Sequence, residues 1–343
     1  MDLPTYFSDF LSEIRLSSTI LEACRTRHIA LRDQLMNDEG LKPKLVDSFL
    51  QGSYRRKTIV QPQEGSHADV DVVVVTSISR SKFPDPQQAY SLFRPFMEKY
   101  YSGKFKYQGR SIGIHLDDVD LDLVITASPP LEEITKLSTV IASLDMENIE
   151  LKSLSEPAWK ISPLYIPDRE AKIWKLTHPL AQIRWTWEKN NKCNGYYLGV
   201  VKALKWWRRE KHPEPEHLTG YPLEHLIGYC CPDGIGSVAD GVARTLEKIA
   251  IVGSVGKPVL PDHGVPEHDV FHRITVEEFR LFYSQVVAAA KIARKALDSQ
   301  NVQESVTAWQ SLFGKSFPDA PPSSNGGYTP RSGPTEIRGG RFA

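Results

Sequence analysis

Two stretches hold the residue types that could do chemistry. The first is Gln51-Gly52-Ser53-Tyr54-Arg55-Arg56-Lys57-Thr58; the second is Asp69-Val70-Asp71, which opens a run of valines. The valine run predicts a strand over about 69–76. Successive side chains on a strand point to opposite faces, so Asp69 and Asp71 share one face while Val70, Val72 and Val74 take the other. Two carboxylates so placed beside an apolar run are costly to bury unless a cation neutralises them. Magnesium suits this task, because it takes carboxylates on one side and substrate phosphates on the other. Gly52 and Ser53, the latter 16 positions before Asp69, suit the phosphates. Their backbone N–H groups and the hydroxyl can approach an anion closely. An isolated Asp-x-Asp is commonplace in loops; the preceding Gly-Ser turn and the strand context give this one its weight.

The run Val119-Asp120-Leu121-Asp122-Leu123-Val124-Ile125-Thr126 predicts a second strand with Asp120 and Asp122 on one face. A two-metal phosphoryl-transfer site requires a third carboxylate from a neighbouring strand, to hold both cations and orient a 3′- or 2′-hydroxyl for in-line attack. On spacing alone, Asp120 and Asp122 both qualify.

Gly52-Ser53 followed by Asp69-x-Asp71 resembles the signature of the DNA polymerase β-like nucleotidyltransferases. The fuller Gln51-Gly52-Ser53-Tyr54-x-x-x-Thr58 resembles the bacterial branch of cyclic-oligonucleotide synthases, the CD-NTases, relatives of cyclic GMP-AMP synthase and oligoadenylate synthetase. The resemblance runs from the N-terminal helices to about residue 313. It implies that Asp69, Asp71 and a third aspartate are catalytic and ligate two Mg²⁺ ions, with Mn²⁺ as a substitute. The third aspartate of the family precedes two apolar residues, which favours Asp122 over Asp120. Gly52 and Ser53 would then hold the β- and γ-phosphates.

Two further segments carry the resemblance. Leu204-Lys205-Trp206-Trp207 is similar to a Lys-aromatic-Trp helix in the second lobe of poly(A) polymerase-like enzymes, where the lysine meets the triphosphate. Lys202, Lys205 and Arg209 fall on one helical face. Taken alone, such a stripe reads as a solvated surface; with the resemblance, Lys202 and Lys205 are nucleotide-binding. Trp206 and Trp207 are assigned to packing between lobes. Gly220-Tyr221-Pro222-Leu223-Glu224-His225-Leu226 resembles the family's Ser-Tyr-x-Leu-Glu-x-Leu, with Gly220 in place of the serine and Tyr221 placed to stack on a base.

The implied reaction joins nucleoside triphosphates into a cyclic di- or trinucleotide second messenger, releasing pyrophosphate, in bacterial antiphage defence. Two alternatives stand beside it: a linear RNA-tailing or oligoadenylate-type transferase, and a non-catalytic nucleotide-sensing module. Lys and Arg total 42 against 42 Asp and Glu, and no basic tract reaches five residues. That balance counts against a long nucleic-acid partner.

The elements that must position these residues imply an α/β (α+β) protein of 343 residues in two lobes with the active site in the cleft between them. A polymerase β-like sheet lobe with N-terminal helices is expected over 1–165, a helical lobe over 166–315 and a flexible tail over 316–343. Helices are expected at 4–14, 18–37, 85–101, 179–190, 195–211, 221–230, 237–251, 276–298 and 302–313, with a short helix over 42–51 leading into the Gly-Ser turn. Thr275 and Glu278 form a capping box. Strands are expected at 69–76, 105–108, 111–116 and 119–126, and residues 129–172 are weakly patterned. No apolar run is long enough to span a membrane, and the N-terminus lacks a basic leader. Four cysteines in so long a chain point to a reducing cytoplasm. Cys230-Cys231, with His225 and Cys193, is a weak zinc pattern, and buried thiols are the expectation. The tail is poor in large apolar residues. By resemblance, its terminal Ala343 is a substrate for a ubiquitin-like conjugating partner.

Overall fold

Two strands laid side by side in parallel bring the acidic pairs together. They are β2 (Ala68–Thr76) and β5 (Val119–Thr126), with Asp69 opposite Asp120 and Asp71 opposite Asp122. The structure, a computed structural model, describes residues 1–127, 163–214 and 218–320. β1 (Leu45–Gln51), β3 (Phe105–Tyr107) and β4 (Ile112–His115) complete a five-stranded sheet in the order β1-β2-β5-β4-β3, in which only the β2–β5 pairing is parallel.

Alternation decides what each face covers. Val70, Val72, Val74, Leu121, Leu123 and Ile125 point into a core shared with α2 (Ser18–Asn37) and α4 (Gln87–Tyr101), through Cys24, Leu31, Leu35, Phe93, Phe96 and Met97. The opposite face carries the aspartates at the start of β2 and β5. Further along those strands Val73, Val75 and Val124 pack with Leu164 and Ile166 of β6 (Leu164–Asp168). β6 forms a hairpin with β7 (Ile173–Thr177), and an isolated bridge from Ala127 to Tyr165 ties it to the end of β5.

The second lobe contains α5 (Pro179–Lys192), α6 (Tyr197–Lys211), α7 (Gly220–Cys230), α8 (Val238–Gly253), α9 (Val276–Asp298) and α10 (Val302–Phe313). Both halves of the predicted capping box are present at Thr275 and Glu278. Leu180 of α5 joins the sheet's second core, so the lobes share apolar contact.

Several expectations change. Residues 42–51 are not a helix: a 3₁₀ turn at Lys42–Lys44 is followed by β1, which pairs antiparallel with residues 71–76 of β2. Of the weakly patterned stretch 129–172, residues 129–162 lie outside the described residues and the rest enters the β6–β7 hairpin, which runs on to Thr177. α1 (Pro4–Glu13) packs in the helical lobe rather than on the sheet. Its Phe10 stacks on Phe313 at 4.5 Å between ring centroids, and its Phe7 meets Trp309 edge-on. The helical core also extends past residue 316, since Phe317 is buried in it. Trp206 and Trp207 lie within that core, not between the lobes.

Candidate active site

β1 ends at Gln51, whose register partner on β2 is Asp71, and the chain turns at once into the single helical turn α3 (Gly52–Arg55). Gly52 takes φ +70, a left-handed conformation that glycine adopts without steric cost. A Cβ at this position would collide with the Asp71 carboxylate. The turn is therefore pressed directly against the acidic strand, and its chain is closed by Thr58 N–H donating to Ser53 O at 2.9 Å and Arg56 N–H to Gly52 O at 3.1 Å.

Asp69, Asp71 and Asp122 each place a carboxylate oxygen within 4.8 Å of the others. Asp120 turns aside to two histidines, with Nδ1 of His115 at 3.1 Å and Nδ1 of His67 at 3.6 Å from its Oδ1. The open choice between Asp120 and Asp122 thus resolves geometrically to Asp122. Burial pushes the Asp71 carboxyl up to about 6, with Asp122 adding repulsion and Arg56 partly offsetting it. Asp69 is pushed to about 8 by desolvation and then by Asp71, Asp122 and Asp120. Asp69 is also the exposed member of the three, so water and dissolved ions temper that rise. Asp122 is raised by burial, against hydrogen bonds from Ser111 and Gln108. Three carboxylates that resist ionising side by side are a donor set that a hard divalent cation satisfies.

The cations predicted on α6 do not form a solvated face. Lys202, Lys205 and Arg209 are all half-buried. Burial depresses the Lys202 ammonium, with Lys57, Lys205 and Arg15 adding repulsion. Lys205 Nζ donates to Glu224 Oε1 at 2.7 Å.

Tyr221, in the first turn of α7, is held from three sides. Its hydroxyl donates to Asp262 Oδ2 at 2.9 Å, the Arg56 guanidinium lies 5.3 Å from its ring centroid, and His225 meets the ring edge-on. Asp262 also accepts from Gln182 Nε2 at 3.0 Å and from the amides of Gly264 and Val265. Tyr221 lines a cavity of about 690 Å³ together with Gly220, Gln182, Asp262, Arg110 and Lys175, a volume that accommodates a nucleotide-sized ligand. Arg56, Glu224 and Asp262 join the site through contacts that their local sequence does not signal. Glu224 stood inside a quoted motif, but no local signal marks it as a partner of residues near position 56.

Cys193, Cys230 and Cys231 are buried free thiols, and Cys193 Sγ lies 4.0 Å from Cys231 Sγ. Among the described residues, the three aspartates are the one cluster with metal-ligand geometry.

A parallel β2–β5 pair bearing three clustered carboxylates, with a Gly-Ser turn pressed against it, is the arrangement that a metal-dependent nucleotidyltransferase requires. Residues 1–132 match the Second Messenger Oligonucleotide or Dinucleotide Synthetase domain. The full chain is 42% identical to the full length of cyclic AMP-AMP-GMP synthase from Enterobacter hormaechei subsp. hoffmannii. It is likewise 42% identical, over all of both chains, to a probable cyclic AMP-AMP-GMP nucleotide synthase from Salmonella paratyphi B. The fold is shared with the Bradyrhizobium diazoefficiens CD-NTase CdnG solved with GTP, at a TM-score of 0.68 and 12% identity over 91% of this chain and 96% of that one. The chain belongs to the CD-NTase family, nucleotidyltransferases that make cyclic oligonucleotides.

Proposed function

We propose that this enzyme condenses ATP and GTP into a cyclic trinucleotide of two adenylates and one guanylate, with release of pyrophosphate. The product assignment is supported by the full-length similarity to two synthases named for cyclic AMP-AMP-GMP. The observation that carries the chemistry is the convergence of Asp69, Asp71 and Asp122 beside the Gly52 turn.

In this reading Asp69, Asp71 and Asp122 hold two Mg²⁺ ions, with Mn²⁺ able to replace them. Bound there, the cations would offset charge on the triphosphate and lower the pKa of the attacking hydroxyl. Gly52 and Ser53 present backbone N–H groups and a hydroxyl to the β- and γ-phosphates. Lys202 and Lys205 lend positive charge on the far side of the triphosphate, and Tyr221 offers a ring to a base. With each nucleotide oriented by turn, lysine and ring, much of the entropic cost of alignment is met before the chemical step.

The sheet lobe and the helical lobe divide these roles, the first holding the reacting groups and the second the nucleotide. The setting inferred from the family is bacterial antiphage defence. Conjugation of Ala343 by a ubiquitin-like partner enzyme belongs to the same inference; Ala343 lies outside the described residues. No helix among the described residues is long and apolar enough to cross a membrane.

The test is incubation of the purified protein with all four nucleoside triphosphates and Mg²⁺, followed by mass analysis after phosphatase treatment. A phosphatase-resistant product with the mass of a cyclic trinucleotide of two adenylates and one guanylate is expected. A product that loses terminal phosphate would instead identify a linear transferase.

A further inference from the structure

The Glu224 carboxylate on α7 is only 5% exposed and lies at the seam between the lobes. Its two oxygens face opposite ways. Oε2 accepts from Thr58 Oγ1 at 2.9 Å and from Arg56 Nε at 3.2 Å, both on the segment that leaves the Gly52–Ser53 turn. Oε1 accepts from Lys205 Nζ at 2.7 Å, on α6 of the helical lobe. The backbone amides of the same Arg56 and Thr58 close the turn onto Gly52 and Ser53. One side chain therefore spans from the phosphate-facing turn to the lysine across the cleft.

Burial on its own would keep this carboxyl protonated; Lys205 and Arg56, with hydrogen bonds from Lys205 and Thr58, hold it down at about 2 instead. Buried ion pairs of this kind contribute little net stability compared with apolar packing, whereas removing one partner leaves uncompensated charge. A buried carboxylate matched to two cations from two lobes is thus poorly explained as a strut, and well explained as a spacer.

We propose that Glu224 is a positioning residue for nucleotidyl transfer: it sets the separation between the Gly52–Ser53 turn and Lys205. This rests on the reading of that turn and that lysine as the triphosphate's holders. Glu224 itself touches no nucleotide. It holds the Lys205 ammonium in one place rather than letting it sweep the cleft, and it keeps the turn from drifting away from the acidic strand. Its length matters as much as its charge, since an aspartate is one methylene shorter and cannot reach both partners at once.

Steady-state kinetics on Glu224→Asp, Glu224→Gln, Thr58→Val and Thr58→Ser test the proposal. Glu224→Asp and Glu224→Gln are expected to lower kcat by about 100-fold, the scale of loss from an ångström of misplacement. KM for ATP should change by no more than about threefold, because the groups that bind nucleotide remain. Thr58→Val is expected to lower kcat by about tenfold, and Thr58→Ser, which restores the donor, to recover most of that loss. Mn²⁺ affinity, read by electron paramagnetic resonance, should match wild type in all four. Thermal midpoints that fall while kcat and KM stay at wild-type values would overturn the proposal and leave Glu224 a structural pair. If the Glu224 variants fail to fold, Thr58→Val against Thr58→Ser decides alone: equal kcat in the two overturns it. A wild-type protein that consumes no nucleotide would overturn the functional reading as well, whereas an active wild type with unaffected variants overturns only the positioning role.

Discussion

Gly52 and Asp71 are packed so tightly that a single methyl group on the glycine would overlap the aspartate's carboxylate. The contact joins the phosphate-facing turn to the acidic strand as one unit. Neither half can move without disturbing the other.

Gly52→Ala should therefore be among the most damaging small substitutions in the chain. A left-handed conformation costs a non-glycine residue about 1–2 kcal/mol, and the collision displaces Asp71 as well. Product formation is expected to fall by at least about 100-fold, consistent with the sensitivity of aligned reactions to small displacements. The far-ultraviolet circular dichroism spectrum should remain that of wild type. Rate measurements beside the spectrum check both parts.

Asp69 and Asp71 give the metal-free protein a defined pH dependence. Burial and mutual repulsion raise both carboxyls above the unfolded carboxylate value, Asp71 to about 6 and Asp69 toward about 8, the latter tempered by its exposure. Their contribution to stability is then complete below about pH 4 and is lost as pH rises through the folded values. In chelator, the thermal midpoint should decline between pH 5 and pH 9. Mg²⁺ or Mn²⁺ should remove much of that decline, because the cation neutralises the ionised cluster. Asp69→Asn should flatten the chelator curve. Differential scanning fluorimetry across pH, with and without metal, reads all three.

Tyr221 separates ring from hydroxyl. Its hydroxyl is committed to Asp262, and its ring lines the cavity under the Arg56 guanidinium. Tyr221→Phe keeps the ring and loses one hydrogen bond, so KM for nucleotide should rise by only about threefold to tenfold. Tyr221→Ala should raise it well beyond that, because the ring surface goes too. Comparing KM for ATP and GTP in the two variants checks the assignment.

The allegiance of α1 yields a stability prediction far from the cleft. Phe10 is fully buried against Phe313 and Phe317. Phe10→Ala should cost about 3–5 kcal/mol. Chemical unfolding monitored by tryptophan fluorescence, with Trp309 in the same cluster, would read the loss.

The reach of sequence reasoning followed the distance over which each signal acts. Asp69 and Asp71 were legible because strand alternation is local, and the helices at 276–298 and 302–313 because their apolar period is long and their caps are explicit. β1 differs from the expected helix because Leu45, Val46, Phe49 and Leu50 also satisfy helical spacing; pairing with β2 decides in favour of the strand. α1 is amphipathic whichever lobe receives it, so its burial beside Trp309 was not predictable from its own residues. Asp120 and Asp122 share one face of the strand; the two apolar residues after Asp122 favour it, and His115 and His67, arriving from neighbouring segments, hold Asp120 aside. Glu224 is more than 160 positions from Arg56 and Thr58, a distance at which no periodicity speaks.

The central claim is that Asp69, Asp71 and Asp122 together hold the divalent cations on which nucleotidyl transfer depends. The most direct measurement pairs Mn²⁺ binding by electron paramagnetic resonance with product analysis, on wild type and on Asp69→Asn combined with Asp71→Asn. Loss of both Mn²⁺ binding and cyclic product, in a variant whose thermal midpoint in chelator is no lower than wild type, is the predicted result. Cyclic product formed by that variant at the wild-type rate would contradict it.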